Sequence, residues 1–419
     1  MIPAPDAESQ TAMEPRIPAC LWRQWSDKNI DFITDFCSYR KVLETGMSKI
    51  QLQLAVLIIT VLLPLVAEAS PARGETIRVA VCKGVESVRI SGTSLTAEDG
   101  AGSRLDAVFP TLVKREKTGI SVGGTTIRFL RLSSPGVIQV NGKGYRGALE
   151  VVPAEKGLLV VNEILLEDYL VGLINCEISS QWPIEAVKAQ VVVARSFALF
   201  QKQARKKLPY HLESTVYDQV YEGCDIEDSR AARAVDETRG EVLTYNGSII
   251  QAFFHSSCGG HTEASENVWA MHLPYLRGVE CTYCMTSPSV LWEQAIPRKK
   301  LESLLRSAGV KVSGLRDVRP KSRNRSGRIE LLELIAGDGS VSTIPAVAFR
   351  KLVGFGIIRS TAFEVKNIDD DFVFIGLGYG HGVGLCQWGA KQRAEDGFSF
   401  TEILSYYYPG TRVVHYYTE

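Results

Sequence analysis

From Glu75 to about Val161 the hydrophobic positions come in short bursts. "TIRVAVC", "SVRIS", "TIRFLRL", "VIQV" and "GLLVV" are rich in Val and Ile, and "EDGAGS", "SPG" and "NGKG" separate them. Runs of this length between Gly- and Pro-bearing turns predict strands. The pattern changes at Glu163, where "ILLEDYLVGLI" reads as a short helix ending near Gly172. Ile184, Val187, Val191, Ala194 and Ala198 then recur at 3-4-3-4 spacing, the inward face of a second helix. Pro183 favours its start, because the missing N–H is an orphan there anyway. Between about Trp292 and Ile368, "PRKKLESLLRSAG" and "PAVAFRKLVG" read as two helices flanking strand-like runs. The last stretch opens with "DFVFIGLG" and closes in an aromatic tail. The expectation is an α+β protein. It has a β-rich N-terminal part (75–161), a helical core with mixed strands (163–290 and 369–419) and a small α+β insertion (291–368).

Upstream of the first strand the pattern differs in kind. Lys49 is followed by an apolar run, Leu54 to Val66, broken only by Thr60 and Pro64, and then by Ala67-Glu68-Ala69. A positive start, an apolar middle and a small-x-small end are the three parts of a secretory signal. Residues 47–69 are therefore read as a signal, and the protein as exported to the periplasm or cell envelope. An uncleaved signal would leave it membrane-anchored, although the run is short for a span. Residues 1–46 show no pattern and read as an extension ahead of a true start at Met47.

Charge narrows the partners. Lys+Arg and Asp+Glu are both 47 in 419 residues, so the formal net charge is zero and nothing argues for a nucleic-acid partner. With 45% apolar residues the chain is a folded one. Of nine cysteines, Cys20 and Cys37 lie ahead of the signal. The remaining seven are odd in number, which argues against a complete disulfide framework.

Three places carry candidate chemistry. Glu177 falls in "NCEISSQWP", a short polar turn between the two predicted helices, where an ordinary solvated helix charge is not expected. "GLGYGHGVGLCQWGAKQRA" holds five glycines between Gly376 and Gly384, beside His381, Gln387 and Trp388. Its spacing does not fit a nucleotide-binding fingerprint, and it suits a backbone that closely approaches a ligand. Cys258 and His261 lie in "SSCGGHTE", and Cys281-Thr-Tyr-Cys284 starts twenty residues after His261. A Cys-x-x-His with a Cys-x-x-Cys is tetrahedral zinc spacing. His255 could replace His261, and a Cys281–Cys284 disulfide or free thiols are the competing readings.

"LEDYLVGLINCEISSQWPIEAVKAQVVVARSFAL", "FFHSSCGGHTEASENVW" and "GYGHGVGLCQWGAKQRA", in this order, resemble the three signature blocks of the SpoIID family, which includes the amidase-enhancer proteins. The resemblance covers about residues 75–419, the insertion least. It implies a lytic transglycosylase that cleaves peptidoglycan glycan strands stripped of their peptides, with no cofactor required for catalysis. The family's catalytic glutamate corresponds to Glu177 and an active-site arginine to Arg195. His381, Gln387 and Ser256 are the candidate substrate-binding residues. A structural zinc would sit on Cys258, His261, Cys281 and Cys284. The segment by which clostridial members hold zinc corresponds to "YHLESTVYDQVYEG", which has no cysteine, so that site does not transfer. The alternative is a non-catalytic wall-binding protein whose partner is a cell-wall amidase. A third possibility, Cys176 as nucleophile with His381 as base, is the weakest.

The export reading carries a direct check. Protein recovered from the periplasm or medium should begin at about Ser70 on N-terminal sequencing; a chain retaining Met47 in the membrane fraction would instead establish the anchor.

Overall fold

The computed structural model describes residues 74–417; the predicted leader and export signal lie outside them. The fold is α+β. Two six-stranded sheets form the N-terminal part. One runs Leu212–Glu213, Thr76–Val85, Leu158–Leu165, Ala148–Pro153, Leu130–Ser133, Thr96–Glu98. The other runs Thr125–Ile127, Ile120–Val122, Thr111–Arg115, Ser87–Gly92, Ile138–Val140, Lys143–Tyr145. The period-two alternation of a strand turns Val88 and Ile90 inward and leaves Arg89 exposed. These sheets do not enclose a core of their own. Ile77, Val79, Val88 and Val113 share one apolar cluster with Leu170, Leu173, Val187 and Val191 of the following helices.

Those helices are α1 (Leu166–Glu177) and α2 (Ile184–Ala204). The first runs five residues beyond Gly172, where the sequence reading ended it. Gly172 is there for close packing. A Cβ at this position would lie 2.6 Å from the Gly223 carbonyl and 3.0 Å from the Tyr221 ring. The extra turn makes Glu177 the last residue of α1 rather than part of the loop. The loop itself is pinned by Asp228, which caps α3 (Ser229–Glu237) by accepting from the Arg230 and Ala231 amides. The second Asp228 oxygen accepts from Ser180 Oγ at 2.5 Å and Asn175 Nδ2 at 2.9 Å.

The insertion has an apolar core of its own, built from Trp292, Leu301, Leu305, Leu332, Phe349 and Phe374 among others. It holds α4 (Arg298–Ser307), α5 (Ala346–Val353) and a meander of Leu315–Arg323, Ile329–Ala336 and Val341–Pro345. The strand Asp371–Leu377, which the sequence reading gave to the final stretch, belongs here. It pairs with Leu291–Pro297 from Leu291↔Leu377 to Pro297↔Asp371, and its Phe372 and Phe374 fill this core. The chain then returns to the main body through α6 (Gln387–Glu395) and α7 (Phe400–Tyr407).

Arg195 is not where the family resemblance would use it. Its side chain is fully buried on α2 and makes a bidentate pair with Glu167, Nε to Oε1 at 2.9 Å and Nη2 to Oε2 at 2.7 Å. Nη1 donates to the Glu241 carbonyl at 3.1 Å, and the Tyr417 hydroxyl completes the Glu167 carboxylate at 2.7 Å. Arg195 thus joins α1, α2, the strand Glu241–Tyr245 and the C-terminal tail, and makes no hydrogen bond or ion pair with Glu177. Removing one partner of a buried pair leaves the other charge unpaired, at a cost of about 3–5 kcal/mol. Arg195→Ala should lower unfolding free energy by about that much in a urea titration. The double change Arg195→Met, Glu167→Met should lose less than the single one.

Candidate functional site

A cavity of about 500 Å³ opens where the three parts of the fold meet. α1 contributes Cys176 and Glu177. The segment 216–220 contributes Tyr217, Asp218 and Val220. A two-residue parallel strand pair, Phe254–His255 with Leu385–Cys386, brings His255 and Ser256 beside Gln387. His381 and Tyr379 come from the glycine-rich segment, and Val347, Arg350, Phe355 and Thr361 come from the insertion. Four of the expected residues, Glu177, Ser256, His381 and Gln387, therefore line one cavity.

Glu177 dominates the electrostatics. The Val220 amide donates to its Oε1 at 2.8 Å, and the Gln387 side-chain amide lies within hydrogen-bonding reach. Both favour the charged form. Burial outweighs them and pushes the carboxyl up to about 7. No ion pair to Glu177 occurs among the described residues. Its place at the C-terminal end of α1 adds to the effect, since the helix dipole there disfavours an anion. The other carboxylate in the lining, Asp218, has a different fate. Arg205 holds it with 2.6 and 3.0 Å contacts, and the Glu213 amide donates at 2.8 Å. Among the described residues that line the cavity, Glu177 is the carboxyl that no cation holds.

The remaining polar groups are neutral or held. His381 is driven well below the usual imidazole range by burial and by His255, Arg350 and Arg328. Its Nδ1 accepts from the Val383 amide at 3.1 Å. Burial likewise drops His255 to about 3. With Nδ1 against the Val383 carbonyl at 3.1 Å, its Nε2 is left as a buried acceptor without a protein partner. Burial pushes the Cys176 thiol up to about 11, and it donates to the Gly172 carbonyl, so the nucleophile reading loses its thiolate. The glycines are crowded by the protein itself: a Cβ on Gly380 would sit 2.7 Å from that of His255.

Sequence reasoning missed His255 as a cavity residue and missed the insertion wall entirely. Arg350 sits on an amphipathic helix whose pattern gives no sign that one arginine turns toward a cavity. The metal set also changes. His261 lies on the strand Gly260–His261 with Nδ1 against the Thr262 carbonyl at 2.5 Å, away from the sulfurs. Cys386 takes its place. The ligand atoms of Cys258, Cys281, Cys284 and Cys386 all lie within 4.8 Å of one another, fully buried. Cys386 is 102 residues beyond Cys284, which a search for local cysteine pairs does not span.

A profile described as Stage II sporulation protein (SpoIID) matches residues 154–245, the stretch that carries Glu177. Stage II sporulation protein D of Bacillus subtilis is 30% identical over 268 residues, covering 60% of this chain and 75% of that one. The chain belongs to the SpoIID family. An uncharacterized protein of Brachyspira hyodysenteriae is 36% identical over 279 residues, covering 66% of this chain and 74% of its own. The amidase enhancer of Bacillus subtilis is 30% identical over 294 residues, and this chain spans only 40% of its length. The insertion stands apart from the SpoIID match: residues 286–384 match a domain of unknown function. This SpoIID protein therefore joins the family core to a second unit that walls its cavity.

The raised Glu177 carboxyl has a consequence for stability. Between the ordinary value of 4.5 and about 7 the folded state keeps a proton that the unfolded chain has released. Stability then falls as pH rises through that window and levels off above it. Glu177→Gln removes the effect. The variant should be more stable than the parent at pH 8, by up to about 3 kcal/mol, with the difference closing by pH 4. Thermal unfolding at a series of pH values tests this; a difference that does not vary with pH would contradict it.

Proposed function

We propose that this protein is a lytic transglycosylase that cleaves peptidoglycan glycan between its two amino sugars, on strands stripped of peptide. The observation that carries this is Glu177, raised to about 7 and without a cation partner among the described residues. Hydrolysis by the common glycosidase routes uses two carboxyl groups, one as acid and one as base or nucleophile. Here the second one, Asp218, is committed to Arg205. A reaction in which the sugar's own C6 hydroxyl attacks C1 needs only one.

In the proposed reaction Glu177 acts twice. At neutral pH a large share of Glu177 is protonated. The Val220 amide donates to Oε1, so the proton of the acid belongs on Oε2. Glu177 gives it to the glycosidic oxygen as the C1–O bond breaks, and the departing sugar leaves as an alcohol. The resulting carboxylate takes the proton of the C6 hydroxyl as that oxygen closes on C1, forming the 1,6-anhydro ring. Glu177 ends protonated, ready for another turn. A group with its pKa near the working pH suits both halves of such a cycle.

The walls fit a sugar polymer. Trp269 stacks on Phe253 at 4.1 Å between ring centres and is partly exposed to the opening. Tyr217 from the core meets Phe355 from the insertion edge-on at 6.4 Å. Flat aromatic faces at the sides of a cavity receive the C–H faces of pyranose rings, while the unpaired His255 Nε2 meets a hydroxyl. The similarity to the amidase enhancer supports a second reading, a wall-binding protein that stimulates an amidase.

Purified protein incubated with peptide-free glycan should release chains ending in 1,6-anhydro sugar, detected by mass spectrometry. Glu177→Gln should lower that rate by about 10²–10⁴-fold. Products with ordinary reducing ends would show hydrolysis instead. No cleavage at all, together with faster amidase action on whole wall in the presence of either parent or Glu177→Gln protein, would favour the second reading.

A further inference from the structure

Behind the cavity lies a feature that the sugar chemistry does not use. We propose that Cys258, Cys281, Cys284 and Cys386 form a four-thiolate site for one zinc ion that locks the cavity's back wall. All four are buried, with sulfur atoms within 4.8 Å of one another. The Cys258 and Cys284 sulfurs are 3.4 Å apart. A tetrahedron with metal–sulfur bonds of about 2.3 Å has edges of about 3.8 Å, so the four are spaced for a single ion. Soft thiolates select zinc over the hard divalent cations.

The surroundings are those of a thiolate centre. The Cys258 amide donates to Cys386 Sγ at 3.3 Å, and the Gly259 amide to Cys284 Sγ at 3.4 Å. The Tyr407 hydroxyl lies 3.2 Å from Cys281 Sγ. Donors aimed at sulfur orient and stabilise its anionic form. Gly389 leaves no room for a side chain there. A Cβ would lie 2.8 Å from Cys281 Sγ and 3.3 Å from Cys386 Sγ.

Charge gives an independent argument. Arg328, from the insertion, is 1% exposed, and its Nη2 donates to the Cys258 carbonyl at 2.8 Å. Its Nε and Nη1 have no partner, and it makes no ion pair among the described residues. A buried cation without compensation is costly. Four thiolates around a divalent ion carry two net negative charges beside it. The buried Glu263 carboxylate is the other negative charge acting on Arg328, and the thiolate centre adds to it.

The site ties together the parts that carry cavity residues. Cys258 is two positions after Ser256, and Cys386 directly precedes Gln387. Both belong to or follow a strand pair only two residues long, which supplies few ladder bonds of its own.

Elemental analysis of the full chain, purified without chelator, should find about one zinc per chain. Replacement by cobalt should give the intense visible bands of a tetrahedral thiolate complex. Cys386→Ser should alter the cobalt spectrum and lower the zinc content, whereas His261→Ala should change neither. If Cys386→Ser does not fold, the parent's metal content and the His261→Ala spectrum still decide. Metal-free parent protein with its cysteines in disulfides by mass spectrometry would overturn the proposal. So would loss of metal in His261→Ala.

Discussion

Keeping a carboxyl out of water without giving it a cation is the constraint on which this site depends. A buried carboxylate with no counter-charge is costly, and the group responds by holding its proton. An ion pair at Glu177 would reverse that response and leave an ordinary anion. The fold supplies cations nearby but spends them elsewhere. Arg205 neutralises Asp218, and Arg195 neutralises Glu167 at the first turn of the same helix that ends in Glu177. One helix thus has a carboxylate fixed as an anion near its favourable end and a carboxyl kept neutral at its unfavourable one.

That arrangement requires three parts of the chain to stay in register. The sheets and the α1–α2 pair share a single core, so the position of α1 is set by packing on a large β surface. Asp228 fixes the loop after Glu177 from a different helix. The far wall comes from the insertion, whose own apolar core makes it a rigid unit rather than a loose loop. Arg350 on that wall is held by the Ile358 carbonyl at 2.9 Å and lies over the Phe355 ring. Burial and the neighbouring Arg328 lower it to about 10, so it remains a cation facing the cavity.

Much of this was legible in the chain, for identifiable reasons. The strands of the N-terminal part and the face of α2 follow from local periodicity, which packing reinforces. Glu177 stood out because its surroundings are local as well: a helix before it and Trp182-Pro183 after it. Arg195 was misplaced because a buried arginine looks the same in sequence whether it meets substrate or Glu167, which is 28 residues away. Cys386 was overlooked and His261 chosen because metal spacing was read within short segments, while the fold closes the set across the whole insertion. The boundary at 369 failed for a related reason. The strand Asp371–Leu377 has no local mark of its allegiance; only its pairing with Leu291–Pro297 assigns it.

The insertion leaves and re-enters the core between two of the four cysteines, and that position has a physical logic. Cys284 lies just before the strand Leu291–Pro297 that opens it, and Cys386 just after the glycine-rich segment that follows its last strand. A second unit with its own core could shift against the first, and the cavity between them would change shape with it. A zinc ion on the four cysteines, as proposed, would join the two chain crossings at one buried point and restrict that freedom. Arg328 acts in the same direction from the other side, since it reaches out of the insertion to the Cys258 carbonyl. The proposed link would also stand beside His255, Ser256 and Gln387, which line the cavity with Glu177. Acid–base transfer needs its groups within hydrogen-bond reach, and a strand pair of two residues supplies few ladder bonds to hold them there.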